Sequence, residues 1–152
     1  MNHYVEKKWK NGKYQCVVLM LLRSNGPSHR CGYVKVNKKH PLYKKDCSEH
    51  CECLEPFREE ILSTPISKRG ILPLFCWDKK RLSPEIFFDV HGGVTYSKGN
   101  VDYPIKTLLP RWWFGFDCAH VGDTIETCTL EYCVDECNRL AEQLRKVETL
   151  RR

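Results

Sequence analysis

Tyr14-Gln15-Cys16-Val17-Val18-Leu19-Met20-Leu21-Leu22 is the stretch on which the fold turns. Its apolar residues fill both alternating faces, the pattern of a strand covered on two sides inside a sheet, although a run this short also fits a short helix. Turn chemistry follows in Arg23-Ser24-Asn25-Gly26-Pro27-Ser28, and Cys31-Gly32-Tyr33-Val34-Lys35-Val36 then reads as a second strand. An antiparallel hairpin is the simplest arrangement of the two.

Two later segments alternate. In Ile86-Phe87-Phe88-Asp89-Val90-His91, period-two geometry puts Ile86, Phe88 and Val90 on one face and Phe87, Asp89 and His91 on the other. In Trp112-Trp113-Phe114-Gly115-Phe116-Asp117-Cys118, Trp112, Phe114, Phe116 and Cys118 share a face, with Trp113, Gly115 and Asp117 opposite. If both strands turn their apolar faces to one core, Asp89, His91, Trp113 and Asp117 converge on the other side of the sheet. Near the C-terminus, Leu130, Cys133, Val134, Cys137, Leu140, Ala141, Leu144 and Val147 recur at three- and four-residue spacing. This predicts an amphipathic helix over 129–148, capped by Thr127 or Thr129 and carrying the i,i+4 pairs Asp135 with Arg139 and Glu142 with Lys146.

The expected fold class is therefore α+β: a mostly antiparallel sheet, with strands near 14–22, 31–36, 86–91 and 111–118, packed against a long C-terminal helix. A length of 152 residues suits one domain, and the lysine-bearing stretch 1–13 reads as a flexible basic N-terminus. Between 37 and 85, prolines at 41, 56, 65, 73 and 84 interrupt every period, which predicts loops and one short helix. With 41% hydrophobic and 29% charged residues, the chain has the composition of a folded globular protein.

Ten cysteines raise the disulfide and zinc readings. The N-terminal residues lack the apolar segment of a secretory signal, and Cys16–Leu22 is too short to span a bilayer, so a cytoplasmic location with reduced thiols and no membrane is expected. Zinc requires ligands that close on one ion. Cys47, Cys51 and Cys53, with His50 among them, form half of such a set, whereas Cys133-x3-Cys137 lies in the helical pattern, where thiols more often pack as small apolar groups.

The net charge of +6 favours anionic partners, nucleic acid included, yet no nucleic-acid motif accompanies it. Phosphate-binding and nucleophile-elbow motifs are also missing, no cofactor is implied, and Cys118 lies on the apolar face, which argues against a thiol enzyme. His91, Asp117, His120 and Asp123 carry the donor types of a hydrolytic metal centre, although Asp117-x2-His120-x2-Asp123 is not a spacing with a known metal mechanism. The alternative is a structural network in which His120 and Asp123 order the loop before the last helix and Asp117 holds His91. A third reading is a ligand pocket: Tyr33, Tyr96 and Trp113 supply flat surfaces, and Gly92 and Gly93 supply backbone N–H groups. Thr95 is included in its lining, and Arg30 or Arg111 would meet an anion.

Several strings resemble a family of small proteins encoded by bacteriophages and prophages: Cys31-Gly32-Tyr33-Val34 with His40-Pro41-Leu42-Tyr43, Asp89-Val90-His91-Gly92-Gly93-Val94-Thr95-Tyr96, Trp112 through Asp123, and Tyr132 through Leu144. The resemblance implies a setting: an accessory protein in the host bacterial cytoplasm. With the aromatic, glycine and histidine inventory, it leads to the expectation of a counter-defence protein that sequesters a small anionic nucleotide signal, possible as a homo-oligomer. A metal-dependent hydrolase of a nucleotide-type substrate, or a module for a host protein or nucleic acid, is the alternative.

Overall fold

The structure is a computed structural model that describes residues 2–59 and 81–150. Five antiparallel strands, β1 (Asn2–Asn11), β2 (Tyr14–Arg23), β3 (Gly26–Val36), β4 (Tyr96–Lys98) and β5 (Trp112–Asp117), form one sheet in the order β1-β2-β3-β5-β4. A four-residue helix, α1 (Pro84–Phe87), precedes β4, and the long helix α2 (Leu130–Leu150) closes the described chain. The α+β architecture read from the sequence is the observed one.

The apolar run of β2 is buried from both sides because it is an inner strand with cover on each face. Cys16 and Val18 join Val34, Phe114 and Phe116 beneath Cys133, Cys137, Leu140 and Leu144 of α2. Val17 and Leu19 face the other way, with Cys31, Tyr33 and Trp113, under Tyr96, Tyr103 and Ile105. Gly32 permits the helix to approach: a Cβ there would stand 2.4 Å from the Phe116 ring and 2.7 Å from the Cys137 sulfur.

Residues 2–11 are not a tail. They pair with β2 through a two-residue turn in which Gly12 takes φ 60°, a left-handed conformation that suits a hairpin. Asn138 of α2 holds this strand, accepting from Trp9 Nε1 at 3.0 Å and Asn11 Nδ2 at 3.1 Å. Arg145 adds a bond to the Asn11 carbonyl at 3.0 Å.

The segment 86–91 departs from expectation. Pro84 occupies the first turn of α1, where its missing N–H has no role, and Ser83 precedes it, so the chain turns helically through Phe87. Ile86, Phe87, Phe88 and Val90 are all buried, which two-sided alternation does not describe. The last helix begins as expected, with Thr129 Oγ1 accepting the Tyr132 N–H at 3.1 Å. Its ion pairs differ: Arg139 reaches Glu136 at 3.0 Å and Asp89 at 2.8 Å, and Arg145 takes Glu142.

Candidate functional site

Asp89, His91, Trp113 and Asp117 do not converge on one face. Because 88–91 leaves α1 as an extended segment and turn beside α2, Asp89 meets Arg139 and the His91 N–H donates to buried Glu136 at 2.9 Å. Asp117 ends β5 near the opposite face, where its carboxylate accepts from Thr95 Oγ1 at 3.0 Å and the Ala119 N–H at 3.1 Å. The partner of His91 is thus Asp123, not Asp117.

The candidate residues fall into three places. The first is a cluster where the 88–93 turn, the end of β5 and the loop before α2 meet. His91 Nε2 lies 2.8 Å from Asp123 Oδ2, and His91 Nδ1 lies 2.8 Å from Tyr132 Oη. The same carboxylate oxygen accepts the His120 N–H at 3.0 Å and faces His120 Nδ1 at 3.2 Å. Burial opposes ionisation of Asp123, but the bonds from His91 and the His120 backbone together hold its pKa below the ordinary value. Gly92, at φ 69°, makes room for the His120 ring, since a Cβ would come within 2.2 Å of it. Gly93 spends its N–H on the Val90 carbonyl at 2.7 Å, closing the turn.

Behind these polar groups stand three buried thiols. Cys128 Sγ is 3.8 Å from His91 Nε2, and Cys118 Sγ is 3.7 Å from Cys133 Sγ. Two overlapping donor sets share His91: one with His120 and Asp123, the other with Cys118 and Cys128, each with its ligand atoms within 4.8 Å of one another. Asp117, the remaining member of the expected quartet, stands 3.8 Å from His120 Nδ1. The cysteines 47, 51 and 53 form no such three-donor set among the described residues.

The second place is a pocket of about 360 Å³ on the reverse face, lined by His29, Tyr33, Thr95, Tyr96 and Asp117 among others. It holds four of the expected ligand residues, but not as stacking platforms for an anion. Tyr33 is 4% exposed and bonded through its hydroxyl to Tyr103 at 2.5 Å, and Trp113 is fully buried. Arg30 is also committed, donating to Glu6 at 2.6 and 3.3 Å and to the carbonyls of Ile125 and Cys128 at 2.9 Å. Arg111 donates from Nε to the Gly99 carbonyl at 3.0 Å.

The third place was not singled out from the sequence as a site. Strand register sets Lys10 beside Gln15 and Gln15 beside Lys35, with Lys8 beside Val17, so these three lysines share the face turned away from α2. With Lys13, which is ion-paired to Glu148, and Lys106 they line a groove of about 690 Å³ bordered by Ile105 to Pro110, with no carboxylate in its lining among the described residues. Partial burial, reinforced by the charge of Lys10, pushes the Lys35 pKa down. The signal available in the sequence was alternation: Lys8 and Lys10 are two apart on β1, and Lys35 sits in the second predicted strand.

Comparison of the chain with protein-family models, with curated proteins and with solved structures returns no match. No helix among the described residues is long and apolar enough to cross a membrane.

Proposed function

We propose that this chain is a non-enzymatic binding protein that sequesters a small anionic, nucleotide-type ligand, with the phosphates held in the lysine groove. The observation that carries this reading is the convergence of Lys8, Lys10, Lys35 and Lys106 on one concavity with no carboxylate in its lining among the described residues. Like charges held this close repel, and an anion relieves that repulsion while gaining charge-assisted hydrogen bonds. The groove has the volume of a small-molecule site, and Leu108 and Leu109, 88% and 75% exposed, offer an apolar lip for a base or sugar. Tyr33, Tyr96 and Trp113 then act as the packed floor of the reverse face, and Arg30 as a structural clasp.

In the phage setting that the sequence resemblance implies, such a protein would withdraw a nucleotide defence signal in the host cytoplasm. The test is depletion. The protein is mixed with cyclic dinucleotides, cyclic trinucleotides and cyclic ADP-ribose isomers, and free ligand is measured before and after heat denaturation. Sequestration predicts loss of one ligand class, its return intact on heating, and weaker retention in high salt and in the Lys10→Glu/Lys35→Glu variant. Return of a cleaved product would favour the hydrolase reading, and no depletion across the panel would overturn the proposal.

A further inference from the structure

Separate from the lysine groove, the thiol-histidine cluster carries its own chemistry. His91, Cys118 and Cys128 come from three distant parts of the chain: the turn after α1, the residue after β5, and the loop entering α2. Each is fixed by backbone bonding. The Cys118 N–H donates to the Arg30 carbonyl at 3.0 Å, the Cys128 N–H to the Thr124 carbonyl at 2.8 Å, and the His91 N–H to Glu136 at 2.9 Å. Arg30 further fixes the Cys128 carbonyl at 2.9 Å.

We propose that His91 Nε2, Cys118 Sγ and Cys128 Sγ bind one zinc ion, with the fourth position taken by water. In a tetrahedral zinc site with the usual zinc–sulfur and zinc–nitrogen bond lengths, neighbouring ligand atoms stand roughly 3.3–3.8 Å apart. Cys128 Sγ and His91 Nε2 are 3.8 Å apart, and Cys118 Sγ lies within 4.8 Å of both. Thiols that merely fill space turn their sulfurs toward hydrocarbon, whereas Cys128 Sγ stands 3.8 Å from an imidazole nitrogen, and Cys118 Sγ, 3.7 Å from Cys133 Sγ, lies within 4.8 Å of the other two donor atoms. Asp123 Oδ2, 2.8 Å from the same nitrogen and accepting the His120 N–H at 3.0 Å, belongs to the second donor set and lies beside the metal site as a neighbouring negative charge.

The proton balance is simple. On binding, the two thiols release their protons to solvent, and the imidazole carries its proton on Nδ1, leaving the Nε2 lone pair for the metal. Nδ1–H then donates to Tyr132 Oη, 2.8 Å away, the outer-partner contact that orients most metal-binding histidines. The Nε2–H to Asp123 bond gives way to a bond from Nε2 to the cation, while Asp123 keeps the His120 N–H as its donor.

The experiment uses the full untagged chain, purified with zinc present and then dialysed. Elemental analysis should find about one zinc per chain. Cobalt added to chelator-stripped protein should give a thiolate-to-cobalt charge-transfer band and the intense visible absorption of a tetrahedral ion. Cys128→Ser should weaken zinc retention by at least roughly tenfold, and Cys47→Ser/Cys53→Ser should leave stoichiometry and spectrum unchanged. Because Cys118→Ser in the core is liable to unfold the chain, the cobalt spectrum of the unaltered protein is the deciding measurement. A folded, zinc-repleted protein without metal, a cobalt spectrum without the thiolate band, or loss of metal on changing Cys47 and Cys53 would each overturn the assignment.

Discussion

Against α2 the sheet presents Cys16, Val18, Val34, Phe114 and Phe116, a continuous apolar layer closed by a 21-residue helix. The reverse face has a smaller centre, Val17, Leu19, Cys31, Tyr33 and Trp113, covered by Tyr96, Tyr103 and Ile105, and gives way to lysines toward the β1–β2 turn. The same strands supply both layers, sorted by side-chain alternation alone. The helix face therefore carries most of the packing, and the reverse face is the one with room for a partner.

The largest expected effect tests the packing half of this contrast. Gly32→Ala drives a methyl group into the Phe116 ring and the Cys137 sulfur and should cost on the order of 3 kcal/mol in a denaturant titration. Gly115→Ala pushes on the other face, where its Cβ would meet Tyr33 at 2.5 Å and the Gly32 carbonyl at 2.9 Å. A loss nearer about 2 kcal/mol is expected there. Equal losses would mean that the reverse face is as firmly packed as the helix face.

Arg30→Lys comes next. The guanidinium joins Glu6 of the first strand to two carbonyls of the loop before α2, and one ammonium cannot reproduce that fork. A loss of about 1–3 kcal/mol is expected, measured as a lower denaturation midpoint, together with faster amide exchange around Cys128.

A smaller effect concerns acid. Burial opposes ionisation of Glu148, but bonds from Lys13 and Tyr14 hold its pKa below the ordinary 4.5. A depressed folded-state pKa gives stability that is complete above the unfolded value and is lost as pH falls through the folded one. Glu148→Gln should therefore flatten the stability profile below pH 4.5, and an unchanged profile would place the acid sensitivity elsewhere.

The smallest effect sharpens the contrast most. Lys10→Glu/Lys35→Glu should change stability by no more than about 0.5 kcal/mol, since these side chains line a groove rather than a core. A marked destabilisation would show that the groove lysines contribute to the fold itself.

Much of this was legible in the sequence. The two-sided apolar run of β2, the face assignment of Trp112 to Cys118 and the periodicity of α2 each follow from one strong local pattern. Where the pattern is weak, reading failed for physical reasons. Most of β1 is exposed, so no apolar alternation marks it, although Gly12 at the first position of the two-residue loop Gly12-Lys13 is the signature of a tight hairpin turn. At 86–91 the alternation was accidental, and Ser83-Pro84 was the better guide to local structure. The cluster at His91 was half visible: His91, His120 and Asp123 were singled out, but Cys118 read as part of the apolar face and Cys128 was not singled out. Their approach to His91 depends on how α1, β5 and α2 pack, which no spacing in the chain encodes.

One strand remains to be considered from its outer side. Among the described residues β1 is an edge strand ten residues long, enough to serve as a template for another chain. Its pairing slips between Val5 and Lys7, which bends the edge, and Lys7, Lys8 and Lys10 are exposed along it. Two such edges brought together would oppose their lysines and mismatch their hydrogen bonds. The opposite edge, β4, is three residues long and offers little purchase. Charged side chains and a register shift on an edge strand are features that disfavour sheet extension, and the first strand has both.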